Sequence, residues 1–444
     1  MSRPRIVIIG GGFAGLTAAR GLREAEADVT LLDRTNHHLF QPLLYQVATA
    51  VLSPSDISSP IRWLLRKHKN TTVLMAEVDL IDVDARRVIA DEGRVKLEYD
   101  YLVIAAGARH AYFGHDEWEP FAPGLKSLED ARTIRDRFLR AFEEAEKAAD
   151  AETRAGWLHF VIVGGGPTGV ELAGILPDIA HHSMLDDFRN FDPRSTRITL
   201  LEGGPRLLTA FDENLAARAR RDLESLGVNV RTNAIVTRVE PDAVYVGDER
   251  IPTRTVLWAA GNQASPLARS LGAPLDKQGR VEVRADLSVP GHPEIFVAGD
   301  LAAVFEESGA PVPAVAPAAN QMGKRAAKNI MRLLDDLPTE KFRYRDKGNL
   351  ATIGRYRAIA KIGSFELKGQ IAWWFWLLIH LMYLATFRNR LSVLIEWAYS
   401  YMTYRRGSRI LTEREGDGVS GGGELAAREL AEPVERETRV PLSR

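Results

Sequence analysis

The sequence predicts an α/β fold built from two Rossmann-like units, followed by a C-terminal region of amphipathic helices. Three observations carry that expectation. An apolar strand, a glycine turn and a small-residue helix occur twice, as RIVIIGGGFAGLTAA (5–19) and HFVIVGGGPTGVELAG (159–174). Two further pairs follow in the same order: TLLDR (30–34) with TLLEGG (199–204), and YLVIAAGA (101–108) with TVLWAAGN (255–262). An ordered repeat of three matches marks duplicated architecture. Finally, IAWWFWLLIHLMYLATFRNR (371–390) places three tryptophans and an apolar run before a group of arginines.

Each glycine turn has a mechanical reason. Gly10, Gly12 and Gly15 fit G-x-G-x-x-G: the first allows the tight turn, the second admits a pyrophosphate to the backbone, and the third lets helix pack on strand. The helix N-terminus then offers its partial positive charge to phosphate. Asp33 ends the next apolar run, where a carboxylate can hold a ribose hydroxyl. Gly164, Gly166 and Gly169 repeat the spacing, with Glu202 in the acidic place. Glu202 arrives late because PDIAHHSMLDDFRNFDPRST lengthens the connection. An acid there repels a 2′-phosphate, so this site is expected to prefer NADH to NADPH; a solvated strand-end charge is the alternative for Glu202. Two Rossmann-like dinucleotide-binding domains follow. FVAGD (296–300) reads as a strand returning to the first of them, with Asp300 placed for a ribityl–pyrophosphate region; Gly-Asp is also a common turn.

Composition narrows the chemistry. The chain has 444 residues and a net charge of −1, so no global field draws it to nucleic acid or anionic lipid, and no nucleic-acid partner is expected. It contains no cysteine, which removes a catalytic thiol, a redox disulfide, an iron–sulfur cluster and a thiolate zinc site. No metal site is read from the remainder. The N-terminus runs straight into a strand without a secretory h-region, so the catalytic part is expected in the cytoplasm.

With its duplicated frame and FVAGD, the chain resembles the two-dinucleotide flavoprotein superfamily, in which the N-terminal unit holds FAD and the inserted unit a nicotinamide nucleotide. The expected boundaries are 1–110 with 290–340 for FAD, 115–285 for NADH, 341–410 for membrane anchoring or dimerisation, and a disordered tail over 411–444. Further segments narrow the match: NHHLFQPLLYQVATAVLSPSDISSPIR (36–62), APAANQMGK (316–324), GNLATIGRYRAIA (348–360) and the aromatic stretch. These resemble type II NADH:quinone dehydrogenases, the single-chain, non-proton-pumping respiratory enzymes.

That resemblance implies noncovalent FAD, oxidation of NADH, a membrane quinone as acceptor and a homodimer, on the cytoplasmic face of the cell membrane. It also implies site residues: Arg34, Val78, Gly107 and Ala318 beside FAD; Gly261 beside NADH; Tyr45, Gln46, Ala319 and Gln321 toward quinone; and Glu171 at the nicotinamide–flavin contact, ordering the site or relaying protons. Acids in the first turns of helices are also common as complements to the dipole. The family's quinone-side segment usually reads Ala-Gln-x-Ala-x-Gln, whereas Pro317 stands here in place of the first glutamine. Proline suits the first turn of a helix, and that helix is expected to point its N-terminus at the flavin. Gln41, Tyr45 and Gln46 lie in an apolar loop where buried amides need partners, either a ligand or another part of the core.

The aromatic stretch is too short to span a bilayer comfortably, since seventeen residues of helix give about 25 Å against ~30 Å of hydrocarbon. In LSVLIEWAYSYMTYRR, Ser392, Glu396, Ser400 and Thr403 share one face, opposite Leu391, Leu394, Ile395, Ala398 and Met402. Arg388, Arg390, Arg405, Arg406 and Arg409 add local positive charge. Helices lying in the membrane surface are therefore expected, a dimer interface being the structural alternative. EEAEKAADAETRAG (143–156) reads as an exposed helix. Sulfide:quinone oxidoreductases and disulfide reductases share the frame but need cysteines. A soluble NADH-dependent reductase of a redox protein and a membrane-bound NADH or flavin sensor stay open as alternatives.

Overall fold

The computed structural model describes residues 3–403 and 409–411. Residues 1–408 cluster as one compact body, beyond which only Arg409 to Leu411 are described; the two dinucleotide-binding units, called first and second below, both lie within that body. Arg405, Arg406 and the predicted tail from residue 412 lie outside the described residues.

The first unit begins with β1 (Arg5–Ile9), α1 (Phe13–Gly21) and β2 (Asp28–Asp33). A short helix α2 (Leu44–Ala48), β3 (Thr71–Met75) and β4 (Tyr101–Ile104) follow. Four of the five β1 residues are buried, the near-continuous apolar run expected of a strand covered on both faces. β1 pairs in parallel with β2 on one side and β4 on the other.

After α3 (Leu128–Lys147) the motif repeats as β5 (His159–Val163), α4 (Pro167–Asp178), β6 (Arg197–Leu201), β7 (Val228–Arg231) and β8 (Thr255–Trp258). These strands make a parallel sheet in the order β7-β6-β5-β8. The expected single exposed helix over 143–156 is not what forms. α3 ends at Lys147, and a separate helix, Ala151–Trp157, starts where the Asp150 carboxylate accepts from the Thr153 N–H at 2.7 Å. α3 is also far from exposed, because Phe138 and Phe142 pack against Phe160 of β5 at 5.0 and 5.8 Å between ring centres.

The chain next supplies β9 (Ser288–Val289) and β10 (His292–Val297). β10 pairs with β4, placing Phe296 beside Val103 and completing a six-stranded sheet in the order β9-β10-β4-β1-β2-β3. FVAGD thus does rejoin the first sheet. Helix α5 (Ala316–Leu334) lies across α1, and the crossing is so close that a methyl group on Gly323 would overlap the Ala14 carbonyl. Pro317 occupies the first turn of α5, where its missing N–H costs nothing.

A three-stranded antiparallel sheet, β11 (Asn349–Gly354), β12 (Arg357–Ile362) and β13 (Phe365–Lys368), then docks on the second unit. Gly174 makes that docking tight, since a Cβ there would collide with the Ile353 carbonyl. The last two helices are α6 (Gly369–Tyr383) and α7 (Phe387–Thr403). Among the described residues, no helix is long and apolar enough to cross a membrane.

α7 is amphipathic in an inverted sense. Its polar side chains point into the protein: buried Asn389 donates to the carbonyls of Ser55 and Asp56, both at 2.8 Å, and the Ser392 hydroxyl donates to Asp56 at 2.6 Å. Leu391, Leu394, Ile395 and Met402 face outward at 44–83% exposure. α6 also presents apolar side chains outward, leaving Trp374, Phe375, Leu378 and Met382 exposed, while Trp373 and Trp376 are buried.

Candidate cofactor cleft and acceptor site

The first glycine turn builds a cradle. Gly10 has a φ of +97°, and a side chain there would overlap the Ala105 carbonyl; a side chain on Gly15 would overlap the Gly10 carbonyl. Gly12, at the N-cap of α1, has nothing within 4 Å of a built Cβ, so its backbone is open to a ligand. Asp33 pins the turn, accepting from the Gly11 N–H at 2.6 Å with one oxygen and from Thr35 at 2.7 Å with the other. The Thr35 hydroxyl also donates to that second oxygen at 2.7 Å, so it is the Gly11-bonded oxygen that keeps a lone pair for a ribose.

These residues open into a cleft of about 490 Å³. Arg34, Val78, Gly107, Asp300 and Ala319 also line it, as do Gly10, Gly12 and Asp33. Gly15 does not; it is the packing glycine of the motif. Ala318 is buried in the core of the first unit and Ala319 takes the place beside the cleft, because α5 turns that face toward Gly299 and Asp300. A cleft with an open glycine backbone, a ribose-ready acid and the N-terminus of α1 in its wall suits an adenine dinucleotide.

Lys126 was not singled out by sequence. It faces the cleft opposite Asp300, and each is shifted by burial toward its neutral form while the other opposes the shift. The Gln41 amide donates to the Lys126 carbonyl at 3.0 Å. A lone lysine before a helix gives no signal, although the capping box that starts α3 just after it, Ser127 with Asp130, was there to be found.

The second turn repeats the first. Gly164 has a φ of +109°, a side chain on Gly169 would overlap the Gly164 carbonyl, and Gly166 is open. Glu202 accepts from the Gly165 and Gly204 N–H groups, both at 2.6 Å. Gly261 sits at φ +72°, matching Gly107 at +70° in the first unit.

Between the units lies a small cavity of about 30 Å³ that gathers Tyr45, Gln46, Glu171, Asp178 and Arg355. Glu171 stands on α4, and dense packing around its carboxyl raises its pKa well above the ordinary glutamate value, the Thr352 N–H only partly countering this. The Gln46 amide donates to the Tyr45 hydroxyl at 2.9 Å and accepts from the Trp397 indole at 2.6 Å. Gln321 is not part of this group. Its amide is bonded in both directions to the Arg345 backbone, at 3.0 and 2.9 Å, so it tethers a loop.

Trp397 is the last ring of a chain. Phe13, which lines the cleft, meets Phe40 at 6.0 Å; Phe40 meets His380 at 6.2 Å; His380 stacks on Trp376 at 4.4 Å, and Trp376 meets Trp397 at 5.5 Å. His380 interrupts the apolar run at little cost because burial pushes its pKa down to about 4 and its ring bonds the Trp376 carbonyl at 2.7 Å. The aromatic helices therefore reach the cleft wall through continuous packing.

Residues 4–323 match the family described as pyridine nucleotide-disulphide oxidoreductase, and 347–406 match the NDH2 C-terminal domain. A type II NADH:quinone oxidoreductase of Mycobacterium tuberculosis is 43% identical over 93% of this chain and 91% of its own. A second from the same organism is 41% identical over 98% and 97%. In fold, the chain is similar to the NDH2 of Plasmodium falciparum solved with NADH, at a TM-score of 0.85 and 22% identity, covering 92% of this chain and all of that one.

Proposed function

The chain belongs to the type II NADH:quinone oxidoreductase family, and from that membership we propose how its residues divide the work. It is an FAD-dependent enzyme that oxidises NADH and reduces quinone without pumping protons. FAD, when bound, supplies the two-electron carrier between the two substrates.

In this reading, residues 1–110 and 290–340 hold FAD and 115–285 hold NADH. Gly10 and Gly12 seat the FAD pyrophosphate, Asp33 its ribose, and Asp300 with Lys126 the polar middle of the cleft, lined by Arg34, Val78, Gly107 and Ala319. Gly164, Gly166 and Gly261 seat NADH, and Glu202 selects it over NADPH. Tyr45 and Gln46 hold the quinone end, and Glu171 holds a proton at its carboxyl oxygen beside them. A carboxyl kept protonated by burial can donate to an oxygen that gains negative charge as the acceptor is reduced.

The observation that carries the reading is the hydrogen bond from Trp397 to Gln46, because it ties a helix with an outward apolar face directly to the residues around Glu171. That face, formed by α6 and α7, lies in the headgroup layer with Arg388 and Arg390 beside it. A quinone with a lipid tail then enters from the bilayer. We place the enzyme on the cytoplasmic face of the membrane, as a homodimer.

Purified protein should be yellow and should oxidise NADH faster with a short-tailed quinone than with oxygen alone. Flavin colour that bleaches with NADH and stays bleached under quinone would favour a soluble reductase or a sensor.

A further inference from the structure

The oxidation of NADH by a quinone consumes one proton from water per turnover. NADH gives up a hydride, which carries two electrons and one proton, while the quinol needs two protons. Glu171 is half-buried at the edge of the 30 Å³ cavity, and the single proton it gives up must be replaced from outside after every cycle. The structure shows what stands between it and solvent.

Glu171, Asp178 and His182 follow one another at helical spacing along one face of α4 and the turn that extends it. Glu171 and Asp178 both line the 30 Å³ cavity, with Ile175 between them. They are two turns apart, about 10 Å of axial rise, and the cavity volume corresponds to one or two water molecules. Asp178 is nearly enclosed: one carboxylate oxygen lies 3.6 Å from the His182 ring nitrogen and the other 3.6 Å from the Arg355 guanidinium. His182 is 53% exposed. The chain continues past Asp178 as a wider π-turn, Ile179–Ser183, a local departure often found at functional sites.

We propose that Asp178 and His182 form the proton-return path to Glu171. The inference rests on the quinone-reductase reading above. His182 accepts a proton from bulk water, Asp178 takes it from the imidazole, and water in the cavity carries it to the Glu171 carboxylate left after donation to the quinone oxygen. Each hop transfers one proton and restores the donor, so the sum is one proton moved from solvent to quinol. Arg355 fixes Asp178 in place through its own contacts to the carbonyls of Ser400 and Tyr401, at 3.1 and 2.9 Å, which couples the path to α7. Among the described residues, the charged and titratable groups beside the path include Arg355, His181 from the same turn with Asp192 and Arg194 near it, Tyr45 from α2 and Tyr401 from α7.

The test uses FAD-loaded holoenzyme with Asp178→Asn and His182→Gln, the second being an exposed position that leaves the fold intact. Anaerobic bleaching by NADH should match the parent. Recovery of flavin colour with a short-tailed quinone should slow roughly tenfold or more, most at alkaline pH, and small buffer acids such as imidazole should restore it. Independently of turnover, deuterium exchange at the Glu171 carboxyl, followed by its infrared stretch after mixing with D2O, should slow in both variants. Unchanged recovery and exchange in His182→Gln would overturn the path, as would slowing that imidazole does not relieve. A parent enzyme that quinone fails to reoxidise would overturn the quinone-reductase reading itself.

Discussion

Glu171 and Glu202 are both acids near a glycine loop, yet their surroundings assign them different physics. Glu171 has its pKa raised by burial, so the folded state holds a proton that the unfolded chain releases. Its contribution is neutral below the ordinary glutamate pKa and increasingly destabilising as pH rises above it. Glu171→Gln should therefore raise the melting temperature relative to the parent at neutral pH more than at acid pH. The same variant should keep NADH-driven bleaching and lose speed in the quinone half-reaction. Glu202 instead anchors two backbone N–H groups. Glu202→Ala should narrow the preference for NADH over NADPH, as charge repulsion is lost, and should also weaken binding of both nucleotides because the loop loses its pins; an unchanged ratio of kcat/KM values would remove Glu202 from that role. These glycines and acids were legible because backbone geometry demands particular residue types. Lys126 was not, since its partner Asp300 is far away in sequence, and Asp178 was not, since Arg355 and the cavity walls that hold it come from distant parts of the chain. Gln321 shows the converse: its residue type suited a quinone, but its amide is committed to Arg345.

At the scale of elements, α7 shows what periodicity can and cannot reveal. The spacing of Ser392, Glu396 and Ser400 announces two faces, but only the acceptors offered by Ser55 and Asp56 decide that the polar one turns inward. Asn389→Ala would leave those buried carbonyls unpaired at a cost of about 1–3 kcal/mol, read as a lowered melting temperature and faster proteolysis in the C-terminal region. Replacing Leu391, Leu394 and Ile395 with serine touches none of those bonds, and we expect the variant to stay folded, to bleach with NADH at the parent rate, and to leave vesicles of anionic lipid. Retained sedimentation with those vesicles would instead mark the face as a contact between subunits. Gly174 fixes another element contact: Gly174→Ala would force α4 away from β11 and loosen the Glu171 cavity at a cost of about 1–3 kcal/mol. The break between Lys147 and Ala151 escaped the composition-based reading because one side chain, Asp150, restarts the helix.

For the whole molecule, the duplicated sheets and the returning strand were readable because parallel strands covered on both faces leave continuous apolar runs in sequence. How the C-terminal helices meet the first unit was not readable, because it depends on contacts between residues more than three hundred positions apart, such as Gln46 with Trp397. That junction is what makes one protein of a water-facing nucleotide site and an outward apolar surface. It is tested most directly by rapid mixing of NADH with FAD-loaded enzyme bound to vesicles whose bilayer contains a long-tailed quinone. The account predicts loss of flavin absorbance followed by recovery, with recovery abolished when the same vesicles lack quinone. Absorbance that falls and does not return while quinone is present in the bilayer would contradict it.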